Sequence, residues 1–166
     1  MSFTFAVITC SDKCSQGLRE DLSGKQLIEV LQAQGFSNVY YKIVPDEKQQ
    51  IKEALIEATR IGANLILTTG GTGFYQRDVT PEATLELIEK QTPGISELIR
   101  YETGKITKRS YLSRGISGIY KNSLIINLPG SPKAAVECIQ AVLPILEHGL
   151  NVLLENEKEC GRDGNS

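Results

Sequence analysis

The chain has no tryptophan, one histidine and one methionine, and its four cysteines are scattered through 166 residues. The single histidine, His148, sits in an apolar helical stretch and reads as a structural side chain. It leaves no partner for a Cys/His or Ser/His/Asp nucleophile set. Cys10 and Cys14 are spaced like half a zinc site, yet Cys138 and Cys160 do not form a second pair. The usual four ligands are therefore missing. Thiols this dispersed are expected to be reduced, in a chain that reads as cytoplasmic. No run approaches the roughly 18 consecutive apolar residues of a membrane span. The apolar start, Met1 to Cys10, lacks the positive flank and cleavage pattern of a secretory signal. The formal net charge is only -2, which leaves no overall basic field for nucleic acid. Phosphate ligands stay open, because backbone N–H groups, a few local cations and a bound metal can hold them.

Hydrophobic residues make up 40% and charged residues 23% of the chain, an ordinary globular balance. The length suits one domain with a core that needs no staples. Three short apolar runs, Phe5–Thr9, Val39–Val44 and Leu65–Thr69, read as strands. Between them, Leu27, Val30 and Leu31, then Ile51, Ala54, Leu55 and Ala58, recur at helical spacing. Strand and helix alternating in this way predict a parallel sheet with crossover helices. Thr80 and Pro81 read as N-cap and first residue of a further helix, and Ser131 and Pro132 as another such start. Residues 115–120 and 123–128 flank Lys121-Asn122 as a hairpin. Ala135, Cys138, Ile139 and Val142 form a last apolar stripe, which Pro144 is expected to kink or end. The fold class is thus α/β, a three-layer α/β/α sandwich over residues 1–154 with a mostly parallel sheet. A polar tail without periodicity occupies 155–166.

In open sheets of this kind ligands bind beyond the carboxyl ends of the strands. That places Thr9–Gly17, Pro45-Asp46 and Gly70–Asp78 around one cavity. The richest stretch runs from Thr68 to Glu82. Three glycines, Gly70, Gly71 and Gly73, let backbone N–H groups approach a ligand closely, and Thr68, Thr69 and Thr72 add hydroxyl donors. It is neither a P-loop nor a dinucleotide fingerprint, since no Gly-Lys-Ser/Thr follows and Gln76 replaces the third glycine. A tight strand-to-helix turn would need the same glycines without any ligand. Asp78 can hold a hard cation against phosphate oxygens, or lean on the helix dipole. Asp46 can pair with it in a metal–phosphate site, or simply cap the helix through Ile51. Arg77 can offset phosphate charge or remain a solvated surface cation. The turn Pro129-Gly130-Ser131 offers a second anion-binding helix start, although capping alone accounts for it.

These residues resemble one family. Leu67–Phe74 with Arg77–Thr84 is similar to the signature of molybdopterin adenylyltransferases, whose domain also occurs in the plant molybdenum-cofactor enzyme and in gephyrin. Supporting matches are Ser11-Asp12-Lys13, Gly17, Asp21, Ser23-Gly24, Val44–Glu47, Thr92–Gly94, Leu112-Ser113-Arg114 and Ile126–Gly130, so the likeness spans about residues 4–153. It implies a molybdopterin-binding fold, usually trimeric, that uses ATP and Mg²⁺ to adenylylate molybdopterin with release of pyrophosphate. The product would be handed to a metal-inserting enzyme. The resemblance assigns catalysis and metal binding to Asp46 and Asp78. It assigns nucleotide and pterin binding to Thr9, Ser11, Asp12, Lys13, Thr69, Gly70, Gly71, Thr72, Gly73, Arg77, Ser113, Pro129, Gly130 and Ser131. Lys13 stands where the family often has arginine, which keeps the charge but loses bidentate geometry. A metal-insertion paralogue, a non-catalytic scaffold and a domain acting on damaged pyridine nucleotides are the competing readings.

Overall fold

The computed structural model describes residues 2–154, and the polar tail at 155–166 lies outside the described residues. The chain runs β1 (Thr4–Cys10), α1 (Asp12–Ser15), α2 (Leu22–Ala33), β2 (Ser37–Val44), α3 (Lys48–Ile61) and β3 (Leu65–Thr69). It continues through α4 (Thr80–Leu85), β4 (Lys90–Gln91), α5 (Pro93–Gly104) and a 3-10 turn at Lys108–Leu112, then β5 (Ser117–Tyr120), β6 (Ser123–Leu128) and α6 (Pro132–Leu153).

The strands form one six-stranded sheet in the order β2-β1-β3-β6-β5-β4. β2, β1, β3 and β6 are parallel, while β5 returns antiparallel to β6 and β4 antiparallel to β5. Alternation along the central strands divides the core. Phe5, Val7, Leu65, Leu67 and Ile126 face α2, α5 and α6, burying Leu27, Leu31, Ile99, Ile139 and Val142. Ala6, Ile8, Ile66 and Ile125 face the other way, onto Ile51, Ala54, Leu55 and Ala58 of α3 and Ala83 of α4. Three layers are thus present, as the periodicities require.

Two local expectations, for Thr80 and His148, are corrected, and two open alternatives, for Asp46 and Pro144, are decided. The residue preceding α4 is Val79, and Thr80 does not cap it; its hydroxyl donates instead to the Gly70 carbonyl at 2.9 Å. The residue capping α3 is Glu47, with no side-chain cap bond, so Asp46 is released from that role. α6 continues through Pro144 to Leu153, and its buried Leu146 and Leu150 extend the stripe begun by Ala135. His148, on the same helix, is exposed rather than built into the core. By length and composition α6 could also cross a membrane, yet its apolar face packs on the sheet as a core helix does.

Candidate functional site

The sheet order reverses direction between β1 and β3, the point where doubly wound sheets open a crevice at their carboxyl ends. β1, β3 and β6 end there at Cys10, Thr69 and Leu128. The crevice is a cleft of about 750 Å³ lined by Thr9, Ser11, Thr69, Gly70–Gly73, Gly130 and Ser131, with Asp46 and Asp78 at its wall. Most of the predicted positions therefore converge. Ser113 and Pro129 line an adjoining apolar compartment of about 290 Å³, together with Ile99, Leu112 and Cys138. Thr72 and Gly73 are common to both spaces.

Tight backbone packing builds the floor. Gly70 has φ +99°, and a Cβ on it would stand 2.3 Å from the Cys10 carbonyl oxygen. Gly71 has φ +69°, with its absent Cβ 2.2 Å from Thr80 Oγ1 and 3.2 Å from Asp46 Oδ1. The second glycine turn meets the first, since a Cβ on Gly130 would lie 3.3 Å from the Gly70 Cα. Thr69 Oγ1 donates to the Pro129 carbonyl at 2.7 Å, which commits its proton. Ser23 must therefore donate to Thr69, 2.6 Å away. Ser131 accepts from the Ala134 N–H at 3.4 Å and caps α6 as expected.

Asp46 and Asp12 grip each other through main chain. The Asp12 N–H donates to Asp46 Oδ2 and the Asp46 N–H donates to Asp12 Oδ1, both at 3.0 Å. Asp46 Oδ1 is buried and has no hydrogen-bond partner among the described residues. Partial burial pushes the Asp46 carboxyl above its ordinary value, and the neighbouring Asp12 and Asp78 charges push the same way. A carboxylate oxygen left buried and unpaired is costly unless a cation meets it. Asp78 Oδ2 accepts from the Tyr75 N–H at 3.1 Å. Among the described residues no three His, Cys, Asp or Glu side chains converge as a protein-only cage. Two carboxylates fit Mg²⁺, which keeps waters and takes its other oxygens from phosphate.

Three expected contacts fall elsewhere. Arg77 binds Asp12 in a fork, at 2.7 and 3.0 Å, and reaches Glu47 at 3.0 Å, so its charge is already committed. That fork holds the Asp12 carboxyl below its ordinary value. Asp12 thus supports Asp46 rather than lining the cleft. Lys13 is exposed and lines neither space. Burial pushes the Cys10 and Cys138 thiols up to about 12, so neither of these two is a ready nucleophile.

Two further positions that hold the site together are visible in the sequence only as supporting matches. Asp21, buried at 4% exposure in the cleft wall, accepts from the Gly24 N–H at 2.9 Å and from Thr9 Oγ1 at 2.6 Å. The Tyr41 hydroxyl also donates to it, and burial plus that carboxylate push the phenol's proton loss upward. The Asp-x-x-Gly spacing at a helix start was the available signal. Arg114 carried no local signal at all.

The residues match the family described as "Probable molybdopterin binding domain" over 6–148. The chain belongs to this molybdopterin-binding-domain family. A molybdopterin adenylyltransferase of Helicobacter pylori is 43% identical over 90% of this chain and 87% of that protein. The cinnamon molybdenum cofactor synthesis protein of Drosophila melanogaster is 46% identical over 92% of this chain, which spans 26% of it. The molybdopterin biosynthesis enzyme MoaB of Thermus thermophilus superposes with a TM-score of 0.87 at 45% identity, covering 92% of this chain and 97% of that one.

The Asp46 environment has a measurable consequence for the family site. An acid whose folded pKa is raised costs stability as pH rises through the interval between its unfolded and folded values. Asp46→Asn should therefore raise the melting temperature at pH 7 without added ligand. The gain should vanish at pH values where the wild-type carboxyl is already protonated. Melting curves across pH check this, and a gain independent of pH would show that charge is not the cause.

Proposed function

We propose that this chain is a molybdopterin adenylyltransferase, transferring AMP from ATP to molybdopterin. The observation that carries the reading is the Asp46 oxygen left unpartnered among the described residues, on a glycine-lined cleft that Asp78 also lines. Backbone N–H groups of Gly70, Gly71 and Gly73, with the hydroxyls of Thr9, Ser11, Thr69 and Ser131, would receive the nucleotide phosphates. The pterin would occupy the apolar compartment beside Ser113 and Pro129, entering past Thr72 and Gly73. Asp46 and Asp78 would hold Mg²⁺, which when bound neutralises phosphate charge and stabilises the leaving pyrophosphate.

In the reaction an oxygen of the pterin phosphate forms a bond to the α-phosphorus, and the bond from that phosphorus to pyrophosphate breaks. Adenylylated molybdopterin and pyrophosphate result. Little covalent chemistry falls to the protein, which accords with a site of glycines, hydroxyls and two carboxylates. A homotrimer, a cytoplasmic setting and hand-over to a metal-inserting enzyme belong to the same reading and rest on the resemblance. Exposed Tyr101, Ile106, Tyr111 and Leu112 are side chains a subunit interface could cover.

Labelled ATP tests the chemistry. Label at the α-phosphate is expected on the pterin product, label at the γ-phosphate in pyrophosphate, and EDTA should stop both. Transfer of γ-label to the pterin would make the reaction a kinase step. No transfer by a folded, molybdopterin-binding chain would favour the scaffold or metal-insertion reading.

A further inference from the structure

Arg114 lies in the connector between the 3-10 turn and β5, directly after Ser113. Its main-chain N–H donates to the Thr72 carbonyl at 2.9 Å. Its Nε donates to the Gly73 carbonyl at 2.7 Å and one terminal nitrogen to the Asp78 carbonyl at 2.8 Å. The other terminal nitrogen binds both Glu82 oxygens, at 2.9 and 2.8 Å. One residue therefore spans the glycine loop at its beginning and its end, and ties both to the first turn of α4.

Arg114 is itself held in place. Arg100 donates to the carbonyls on either side of it, Ser113 at 3.2 Å and Gly115 at 2.9 Å. Between the tie points Phe74 and Tyr75 are 72% and 84% exposed, and the one side chain there that is anchored elsewhere is Arg77, through Asp12 and Glu47. The local bonds there are the Asp78 N–H to the Tyr75 carbonyl and the Tyr75 N–H to the Asp78 carboxylate. A half-exposed pair such as Arg114 with Glu82 contributes little to stability by itself. Two carbonyl acceptors beyond the carboxylate are more than such a pair needs, and only a planar fork with fixed donors satisfies all three groups together.

We infer that Arg114 is the positioning residue for Asp78, fixing the main chain on both sides of the loop so that the carboxylate meets the cleft at one angle. The inference rests on the catalytic role proposed for Asp78. It also makes Arg114 the physical link between the apolar compartment, lined by Ser113 and Gly115, and the carboxylate wall.

Arg114→Lys tests it, since lysine keeps the charge and can satisfy part of the fork. Three readouts are taken on the full chain: steady-state kinetics, the half-saturating Mg²⁺ concentration, and amide hydrogen exchange over residues 72–79. The expected result is a kcat reduced roughly 10- to 100-fold, the scale of a small misplacement of a reacting group. Half-saturating Mg²⁺ should rise several-fold, with KM for ATP changed less, and the amides of Tyr75 and Asp78 should lose protection. Glu82→Gln, which frees one arm of the fork, should shift each readout in the same direction by less. Unchanged kcat and Mg²⁺ dependence with a lowered melting temperature would overturn the inference and leave Arg114 as a stabilising contact. Exchange reads the loop without activity, so unchanged protection overturns it even if the wild-type chain transfers no AMP. Wild-type inactivity alongside lost protection would instead sink the catalytic reading.

Discussion

Asp78→Asn is expected to lower kcat at least about 100-fold, the effect of losing roughly 3 kcal/mol from one preorganised electrostatic group. The substitution is close to isosteric. The side-chain oxygen can still accept from the Tyr75 N–H, so the loop keeps its local bond while the charge disappears. Folding and molybdopterin binding should survive, because Asp78 lines the large cleft and not the apolar compartment. The measurement is turnover with saturating ATP and Mg²⁺ beside a binding titration with molybdopterin. Turnover within a few-fold of wild type would remove Asp78 from the chemistry. A parallel loss of pterin affinity would mean that the two compartments are not separately occupied.

The second large effect separates loop geometry from loop chemistry. Gly70→Ala places a side chain at φ +99° with its Cβ 2.3 Å from a main-chain carbonyl that cannot swing aside. Left-handed backbone alone costs about 1–2 kcal/mol for a non-glycine residue. With the clash the loss should reach about 3 kcal/mol or more, a fall of roughly 6–12 °C in melting temperature for a chain of this size. Gly73→Ala should behave otherwise. Its Cβ would meet Asp78 Oδ2 at 2.9 Å, the end of a side chain that can move away. Melting temperature should stay within a few degrees while turnover falls with the displaced carboxylate. If Gly73→Ala instead lost stability and activity in proportion, the glycine would serve the turn and not the site.

Much of this was legible from periodicity alone. Leu65–Thr69 emerged with the bounds the apolar run suggested, and the stripe from Ala135 to Val142 is buried on one side of α6. Strand ends are where loops must cluster in a parallel sheet, so Thr9, Asp46 and Gly70–Asp78 could be brought together before any contact was known. Capping was less legible. A threonine before a proline is a strong local cap signal, yet Thr80 gives its hydroxyl to Gly70, ten residues earlier. The competitor was a carbonyl that the glycine turn would otherwise leave buried and unpaired. α6 outlasted Pro144 because Leu146 and Leu150 still had a sheet to pack against.

What the order of residues settles is what depends on near neighbours: the alternating elements, the α/β class, the glycine-rich turns and the acidic positions at strand ends. What the folded chain alone decides is how charges are partnered. Arg77 looked available for phosphate and is consumed by Asp12 and Glu47, while Asp21 became a buried hub for Thr9, Gly24 and Tyr41. Arg114 reaches Gly73, Asp78 and Glu82 across 32 to 41 residues of chain. Hydrogen bonds and ion pairs act over a few ångströms, and which side chains come that close is set by how the layers pack, not by their spacing in the sequence.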